Sequence, residues 1–138
     1  MANLNAYTDE MIRLRRTLHR HPEEGWTEFE TTALVIQTLE GLGYQVACGL
    51  DVINPDAVMG RNPELVDKGQ KRALAAGVPA ELIERMQGYT GAVAVLDTGR
   101  PGPTSAFRFD MDCVLVEEST SPEHVPVAQG FASEYPGF

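Results

Sequence analysis

The sequence TEFETTALVIQTLEGLGYQVAC, residues 27–48, decides the fold of this chain. Thr27 and Glu30 have the spacing of a capping box, in which two side chains accept hydrogen bonds from unpaired amides at a helix start. The apolar residues that follow recur at helical spacing and predict one buried face: Phe29, Ala33, Ile36 and Leu39. Gly43 is suited to end this helix, and residues 44–48 alternate as a strand does. A helix leading directly into a strand predicts an α/β fold.

Further helices are predicted on both sides of this segment. Residues 9–20 carry apolar side chains at helical spacing, and Thr8 is available as their N-cap. Asn62 and Pro63 form a typical helix start, and a second short helix follows Pro79. The two helices between them predict a helical hairpin at about residues 62–88, in the position of an insertion between two strand regions.

Two more strands are predicted, at residues 92–96 and 104–109, joined by a short link rich in Gly and Pro that suits an antiparallel hairpin. The second strand ends in Phe109-Asp110-Met111-Asp112. Side chains alternate between the two faces of a strand, so Asp110 and Asp112 are expected on the same face. Paired carboxylates at a strand end can hold a cation or move protons, which makes these two aspartates the candidate catalytic residues.

Length and charge limit the classes of function. A chain of 138 residues, 43% apolar and 22% charged, predicts one globular domain at most. Its net charge of −9 argues against nucleic acid and anionic membrane surfaces as partners, because both would repel it. No stretch is apolar enough to span a bilayer, and no secretory signal is visible, so a cytoplasmic location is expected.

Several motifs, in order along the chain, resemble the M20 family of metallopeptidases and amidohydrolases. The first is Leu18-His19-Arg20-His21-Pro22-Glu23, followed by Glu28 and Thr31. The second is Asp97-Thr98-Gly99-Arg100-Pro101-Gly102, and the third is Ala106-Phe107-Arg108-Phe109-Asp110-Met111-Asp112. The order and spacing are similar to those of the branch that includes aminobenzoyl-glutamate hydrolases, and the resemblance covers nearly the whole chain.

The resemblance implies a fold and an activity. Members have a catalytic α/β domain with a mixed sheet flanked by helices, and an inserted lid or dimerisation domain. Residues 1–138 would form the N-terminal part of the catalytic domain, without the lid domain and without the His-x-Cys-Gly-His-Asp segment that begins the metal ligands. Members hydrolyse the amide bond of N-acyl or aroyl amino acids with a pair of divalent metals, zinc or manganese. A small N-acyl amino acid substrate and a homodimer, or a heterodimer with a related polypeptide, are implied as partners.

By the same resemblance, Asp112 matches an aspartate that supports the metal site by orienting a ligand. Asp110 stands where other branches place a metal-binding histidine, which this branch does not use. The metal ligands themselves are not identified in residues 1–138, so tight metal binding and catalysis by this part alone are not expected.

The histidines and the single tryptophan have structural explanations. His19 and His21 are two residues apart on a predicted helix, so they face different directions and are not expected to share a metal ion. One of the two imidazoles is expected to be hydrogen-bonded at the helix end. His124 has no evident partner in the sequence, and Trp26 is expected to pack against the helix that follows.

Two alternatives stay open at the level of sequence. Residues 109–116 also resemble the first motif of haloacid-dehalogenase-type phosphatases, where the first aspartate attacks phosphorus and the second transfers protons. That family needs a downstream lysine, and no lysine follows Val116. The other alternative is an inactive, truncated remnant without catalysis.

Overall fold

The computed structural model describes residues 4–135 and residue 137. The chain divides into two compact units. The larger one consists of residues 23–112. The smaller one combines the described residues up to Pro22 with those from Cys113 onward. The two units are described separately below.

The larger unit contains three helices and two strands, and their order confirms the helix–glycine–strand prediction. The elements are α2 (Phe29–Gly41), β1 (Gln45–Cys48), α3 (Pro63–Ala75), α4 (Ala80–Met86) and β2 (Ala92–Val95). Gly43 has a φ of 87°, and its amide donates to the Glu40 carbonyl over 2.9 Å. This left-handed conformation ends the helix and turns the chain into β1, as the glycine predicted. The two helices of the predicted hairpin are also confirmed.

The core of the larger unit lies between α2, the pair α3–α4 and the small sheet. The side chains of Phe29, Ile36 and Met86 are fully buried there. The remaining buried members of this cluster are Ala33, Cys48, Val66, Ala73, Leu82 and Ile83. Phe29, Ala33 and Ile36 recur at the spacing that the sequence predicted for the buried face of α2.

The two strands form an antiparallel sheet. Cys48 pairs with Ala92 at one end, and Gln45 pairs with Val95 at the other. Arg85 on α4 fixes the edge of this sheet, since its Nη2 atom donates to the Val46 carbonyl over 2.5 Å. The α/β class is therefore confirmed, with a two-stranded sheet in the described part of the chain.

The capping box predicted at the start of α2 is wrong. The Thr27 hydroxyl donates to the Glu24 carbonyl over 2.8 Å instead of accepting from the helix. The unpaired amides are bound by Glu23, whose carboxylate accepts from Glu30 N at 3.2 Å and from Thr31 N at 2.8 Å. A turn over residues 24–27 folds this carboxylate back over the helix start. An anion at that position is favoured by the helix dipole.

The strand predicted at residues 104–109 is also wrong, as is the hairpin before it. Residues 101–112 run without strand pairing in the structure, and the side chains of Phe107 and Phe109 are 81% and 80% exposed. A strand needs a hydrogen-bonded neighbour and a surface on which to bury one face. Within the described residues, β2 pairs only with β1, so this apolar segment has neither.

The smaller unit is built around α1 (Thr8–Arg20), which a 3₁₀ turn, Leu4–Tyr7, precedes. The helix is confirmed, but Tyr7 occupies the N-cap position and no side chain caps it, so Thr8 does not have the predicted role. The short helix α5 (Val125–Ala128) follows later in the chain. Arg20 joins the two parts of this unit, because its carbonyl accepts from the Glu134 amide over 2.8 Å.

None of the helices within residues 4–135 has the length and apolar character needed to cross a membrane.

Candidate active site

A cavity of about 290 Å³ in the larger unit brings the two candidate aspartates together with residues from other elements. The residues that matter for its chemistry are Trp26, Glu28, Thr90, Phe109, Asp110 and Asp112. Asp110 and Asp112 both line this cavity, but so does Met111 between them, so the segment does not alternate as the predicted strand would. The wall opposite them comes from the turn before α2 and from the loop that leads into β2.

Asp110 is an exposed acid that already has a cationic partner. Its side chain is 64% exposed and forms a two-pronged ion pair with Arg108, with nitrogen–oxygen distances of 2.6 and 2.9 Å. Exposed pairs of this kind contribute little to stability because water screens them. The geometry therefore holds the Asp110 carboxylate beside the cavity and balances its charge locally.

Asp112 lies against the turn that precedes α2. Its Oδ2 atom is 3.9 Å from the place where a Cβ on Gly25 would stand. The Gly25 backbone thus leaves room for the carboxylate at ordinary contact distance. Asp112 is also close enough to Glu28 for its negative charge to raise the pKa of that carboxyl.

Glu28 is the buried acid of this cavity, with only 8% of its surface exposed. Its Oε2 atom accepts a hydrogen bond of 2.5 Å from the hydroxyl of Thr90, which is itself buried. Burial raises the pKa of Glu28, the Thr90 hydrogen bond opposes that rise, and the charges of Asp112 and Glu23 add to it. The cavity therefore combines one buried carboxyl with two exposed ones.

Trp26 forms the apolar side of the cavity and packs against the core, as predicted. Its indole nitrogen donates to the Met59 carbonyl over 2.9 Å, and its ring meets the edge of Tyr89 at 6.4 Å between centroids. Its φ of 68° is unusual for a residue other than glycine. Such strain persists only where the surroundings hold the residue in place, which indicates a fixed cavity wall.

The donor set does not match the metal pair that the M20 resemblance implies. Among residues 4–135 and 137, no three His, Cys, Asp or Glu side chains are grouped so that they could hold a metal ion. Asp110 is engaged by Arg108, and the charge of Asp112 acts on Glu28, which is another acid. The residues present do not fit a metal centre by themselves, and no metal-dependent step is assigned to them.

The histidines lie in the smaller unit, where two of them share one carboxylate. The Nε2 atoms of His19 and His124 both contact Oε1 of Glu118, at 2.7 and 2.8 Å. The expectation of a hydrogen-bonded imidazole at the end of α1 is confirmed for His19. The expectation that His124 has no partner is wrong, because residues 118 and 124 approach each other only through the fold of the loop between them.

Sequence reasoning missed three acids: Glu23 as the cap of α2, Glu28 as a buried cavity residue, and Glu118 as the partner of two histidines. Glu23 and Glu28 were visible only as members of the family-like motif. A run of acids near a predicted helix start could have signalled the first, since anions favour that position. No local pattern marks a carboxylate that is buried by residues more than 50 positions away.

Comparison with known proteins gives close relatives. No protein-family model matches the chain. The chain is 46% identical over 136 residues to a homolog of a p-aminobenzoyl-glutamate hydrolase subunit from Haemophilus influenzae, which covers 98% of this chain and 32% of that relative. It is 43% identical over 130 residues to the indole-3-acetyl-aspartic acid hydrolase of Enterobacter agglomerans, covering 93% and 30% of the two chains. The chain thus spans about a third of the length of the curated relatives it matches.

A solved structure agrees with these relatives. The chain superimposes on the aminobenzoyl-glutamate utilization protein from Klebsiella pneumoniae with a TM-score of 0.76 and 45% identity, over 80% of this chain and 29% of that one. One subunit of the p-aminobenzoyl-glutamate hydrolase of Escherichia coli is 41% identical over 132 residues, covering 94% of this chain and 30% of its own length. The resemblance to the M20 family is therefore confirmed, and the chain is a homologue of part of the aminobenzoyl-glutamate hydrolase proteins.

Proposed function

We propose that the complete protein to which these residues belong is a metal-dependent amidohydrolase that cleaves N-acyl or aroyl amino acids. The observation that carries the proposal is the 46% identity to a p-aminobenzoyl-glutamate hydrolase homolog across 98% of the chain. The aligned region includes the turn before α2 and the segment that ends in Asp112, and both line the cavity.

The substrate class follows from what the relatives' names have in common. One relative is named for p-aminobenzoyl-glutamate and another for indole-3-acetyl-aspartic acid. Both substrates join an aromatic acid to an acidic amino acid through an amide bond. We therefore propose an aromatic acyl group on glutamate or aspartate as the substrate of the complete protein, with aminobenzoyl-glutamate as the first compound to test.

The role proposed for Asp112 is to orient a metal ligand that another part of the complete protein supplies. A carboxylate that accepts a hydrogen bond from a ligating side chain fixes its direction and strengthens it as a ligand. Asp112 suits that role because its carboxylate lies at the cavity. Asp110 is already paired with Arg108, so its expected contribution is smaller.

The proposal is tested in the complete protein with Asp112→Asn and Asp110→Asn as a matched pair. Both substitutions keep the side-chain shape and remove one charge. Asp112→Asn is expected to lower metal affinity or amide hydrolysis by roughly 10–100-fold, which is the usual effect of losing such a supporting group. Asp110→Asn should have a milder effect. Hydrolysis of aminobenzoyl-glutamate at the wild-type rate by Asp112→Asn would contradict the role of Asp112.

The same two variants decide between the alternatives. If the phosphatase hypothesis were right, Asp110 would be the nucleophile, and Asp110→Asn would abolish hydrolysis of a generic phosphate ester. None of the relatives described above is named as a phosphatase, so their names support the amidohydrolase proposal over the phosphatase hypothesis. The intact mass of the native protein decides the remaining alternative, because a native chain of only 138 residues would favour an inactive, truncated remnant.

Assembly and location stay predictions. Two relatives are named as one of the subunits of a hydrolase, which supports assembly with a second, related polypeptide, and a homodimer is the alternative. The size of the complete protein in solution, measured alone and with candidate partners, separates these two. The cytoplasmic location expected from the sequence is likewise a prediction.

A further inference from the structure

Residues 104–112 form an exposed segment that carries large apolar side chains and has no strand partner. Every residue from 104 to 110 is exposed, and the side chains of Phe107 and Phe109 are 81% and 80% accessible to water. Within the described residues, β1 and β2 pair only with each other, so neither strand takes up this segment. Unpaired backbone beside exposed apolar side chains is a template for pairing with another chain.

The charges of this segment are complementary to those of a second copy of the same segment. If two copies pair antiparallel with Phe109 opposite Phe109, Arg108 of each copy lies opposite Asp110 of the other. The same register places Phe107 opposite Met111. Directly opposite residues point to the same face, so the two ion pairs lie on one face and the apolar side chains lie on the other.

The charges also favour this register over its neighbours. A pairing centred on Asp110 would set two carboxylates against each other, and one centred on Arg108 would do the same with two guanidinium groups. A centre between two residues would place a charge opposite Phe109. Arg108 and Asp110 of one chain already form an exposed ion pair, which water screens, so exchanging partners between two copies loses little.

We propose that residues 106–112 are a docking surface for a second copy of this chain, and that the two copies pair antiparallel about Phe109. The two-fold axis then passes through Phe109, and every other contact of the pair occurs twice. A second copy is the fitting partner because the segment itself supplies both members of each ion pair. The inference concerns association and does not depend on the proposed hydrolysis.

Charge reversal tests the surface in the full 138-residue chain, with sedimentation velocity as the measure of association. The wild type should become dimeric as its concentration rises. Arg108→Asp and Asp110→Arg each place like charges opposite each other twice, so each should raise the dissociation constant roughly tenfold. The double variant restores opposite charges and should return the constant to within about threefold of the wild type.

Lys71→Asp is the control for the charge reversals. It changes the net charge by as much as Arg108→Asp does, but at an exposed ion pair with Asp67 on α3. The dissociation constant of this variant should equal that of the wild type. An equal weakening by Lys71→Asp and Arg108→Asp would mean that the total charge, and not the proposed surface, governs association.

Cysteine cross-linking tests the register. It starts from Cys113→Ser, so that the remaining cysteine is the buried Cys48. Phe109→Cys places two thiols opposite each other on the axis, where the Cα separation of an antiparallel pair suits a disulfide, so mild oxidation should give a covalent dimer. Phe107→Cys is the matched control, because Phe107 is equally exposed but its two copies lie about 14 Å apart along the pair.

Several results would overturn the proposal. A wild type that sediments as a monomer at every concentration would mean that the segment is covered by its own chain or stays in solvent. Larger aggregates in place of a dimer, or a dimer that neither charge reversal weakens, would place the contact elsewhere. Equal cross-linking of Phe107→Cys and Phe109→Cys would reject the register. If a cysteine variant does not fold, the charge reversals at exposed positions decide the question.

Discussion

At the scale of single residues, Glu23 has the most demanding environment in the larger unit. Its side chain is fully buried, and its carboxylate accepts from the first turn of α2 and from Arg72 at 2.7 Å. A buried carboxylate is tolerated only when its oxygens are paired and hydrogen-bonded. Glu23 satisfies that condition through a cation and two backbone amides at once.

Replacing Glu23 by Gln should therefore lower the free energy of unfolding by about 2 kcal/mol, since it removes the charge that binds Arg72 and the first turn of α2, while Arg72 keeps its contact with Glu30 at 3.3 Å. Urea denaturation measures this loss. The matched control is Asp67→Asn, which breaks an exposed pair with Lys71 and should cost about 0.5 kcal/mol or less. Equal losses in the two variants would mean that the Glu23 contacts contribute no more than a surface pair.

Residue-scale prediction from the sequence succeeded where the signal was local. The helix start near residue 29 follows from spacings of a few residues, whereas the strand expected to hold Asp110 and Asp112 on one face is absent from residues 104–112. The identity of the cap did not follow, because Thr27 and Glu30 match the motif while Glu23, outside it, supplies the acceptor. The roles of Asp110 and Asp112 in catalysis stay predictions.

At the scale of elements, helices were predicted better than strands. A helix satisfies its own backbone, so α2 could be recognised from apolar spacing and a terminal glycine, and α3 from its cap as well. The Asn62 side chain does accept from the Glu64 amide over 2.9 Å, as its sequence context predicted. A strand depends on neighbours that the local sequence does not specify. The strand predicted at residues 92–96 has such a neighbour in β1, and the one predicted at residues 104–109 has none among the described residues.

The junction between β1 and α4 provides the prediction for this scale. A Cβ on Gly49 would overlap the Met86 carbonyl group, at 2.7 Å from its carbon, and Gly49 has a φ of 62°. Gly49→Ala should therefore lower the free energy of unfolding by roughly 3 kcal/mol. Backbone strain accounts for about 1 kcal/mol of this loss, and the displacement of α4 accounts for the rest.

Gly60→Ala is the control for that variant. Gly60 also has a positive φ, 72°, but no atom lies within 4 Å of its Cβ position. Gly60→Ala should lower the free energy of unfolding only by the backbone strain, about 1 kcal/mol, when both variants are unfolded thermally or with urea. Similar losses for the two alanines would show that the close approach of β1 to α4 can relax.

At the scale of the whole molecule, acid should weaken the smaller unit through Glu118. The amide of Ser133 holds the pKa of Glu118 down at about 2, against an ordinary value of 4.5, with further lowering by His19 and His124. Because the folded pKa is depressed, this carboxylate stabilises the fold above about pH 4.5, and the contribution is lost as the pH falls towards 2. The stability difference between wild type and Glu118→Gln should shrink over that interval.

Glu117→Gln is the matched control, since it removes one charge from the exposed neighbouring position. The unfolding free energy of the three proteins is compared from about pH 6 to about pH 2, the range over which the Glu118 carboxylate takes up its proton. A wild-type advantage over Glu118→Gln that stays constant across this interval would contradict the assignment of the contacts with Ser133, His19 and His124.

Prediction for the whole molecule rested on the order of motifs rather than on any one of them. Residues 18–31 and 97–112 resemble the M20 family in sequence, and relatives at 41% and 46% identity confirm the resemblance. The division into a larger and a smaller unit was not predicted, because it depends on the contacts of α1 with residues after 113. The interpretation of residues 62–88 as an insertion stays a prediction.

The cap of α2 also has a consequence for how this chain can fold. The helix start is bound by Glu23, and Glu23 is bound by Arg72, which stands 49 positions further along the chain. Nucleation of a helix is already unfavourable for a short segment, and closing a long loop adds an entropic cost. A nascent chain that ends before α3 lacks Arg72, so it cannot complete this arrangement. The start of α2 looks like a local feature of the sequence, but it can form completely only after residues far along the chain have been synthesised.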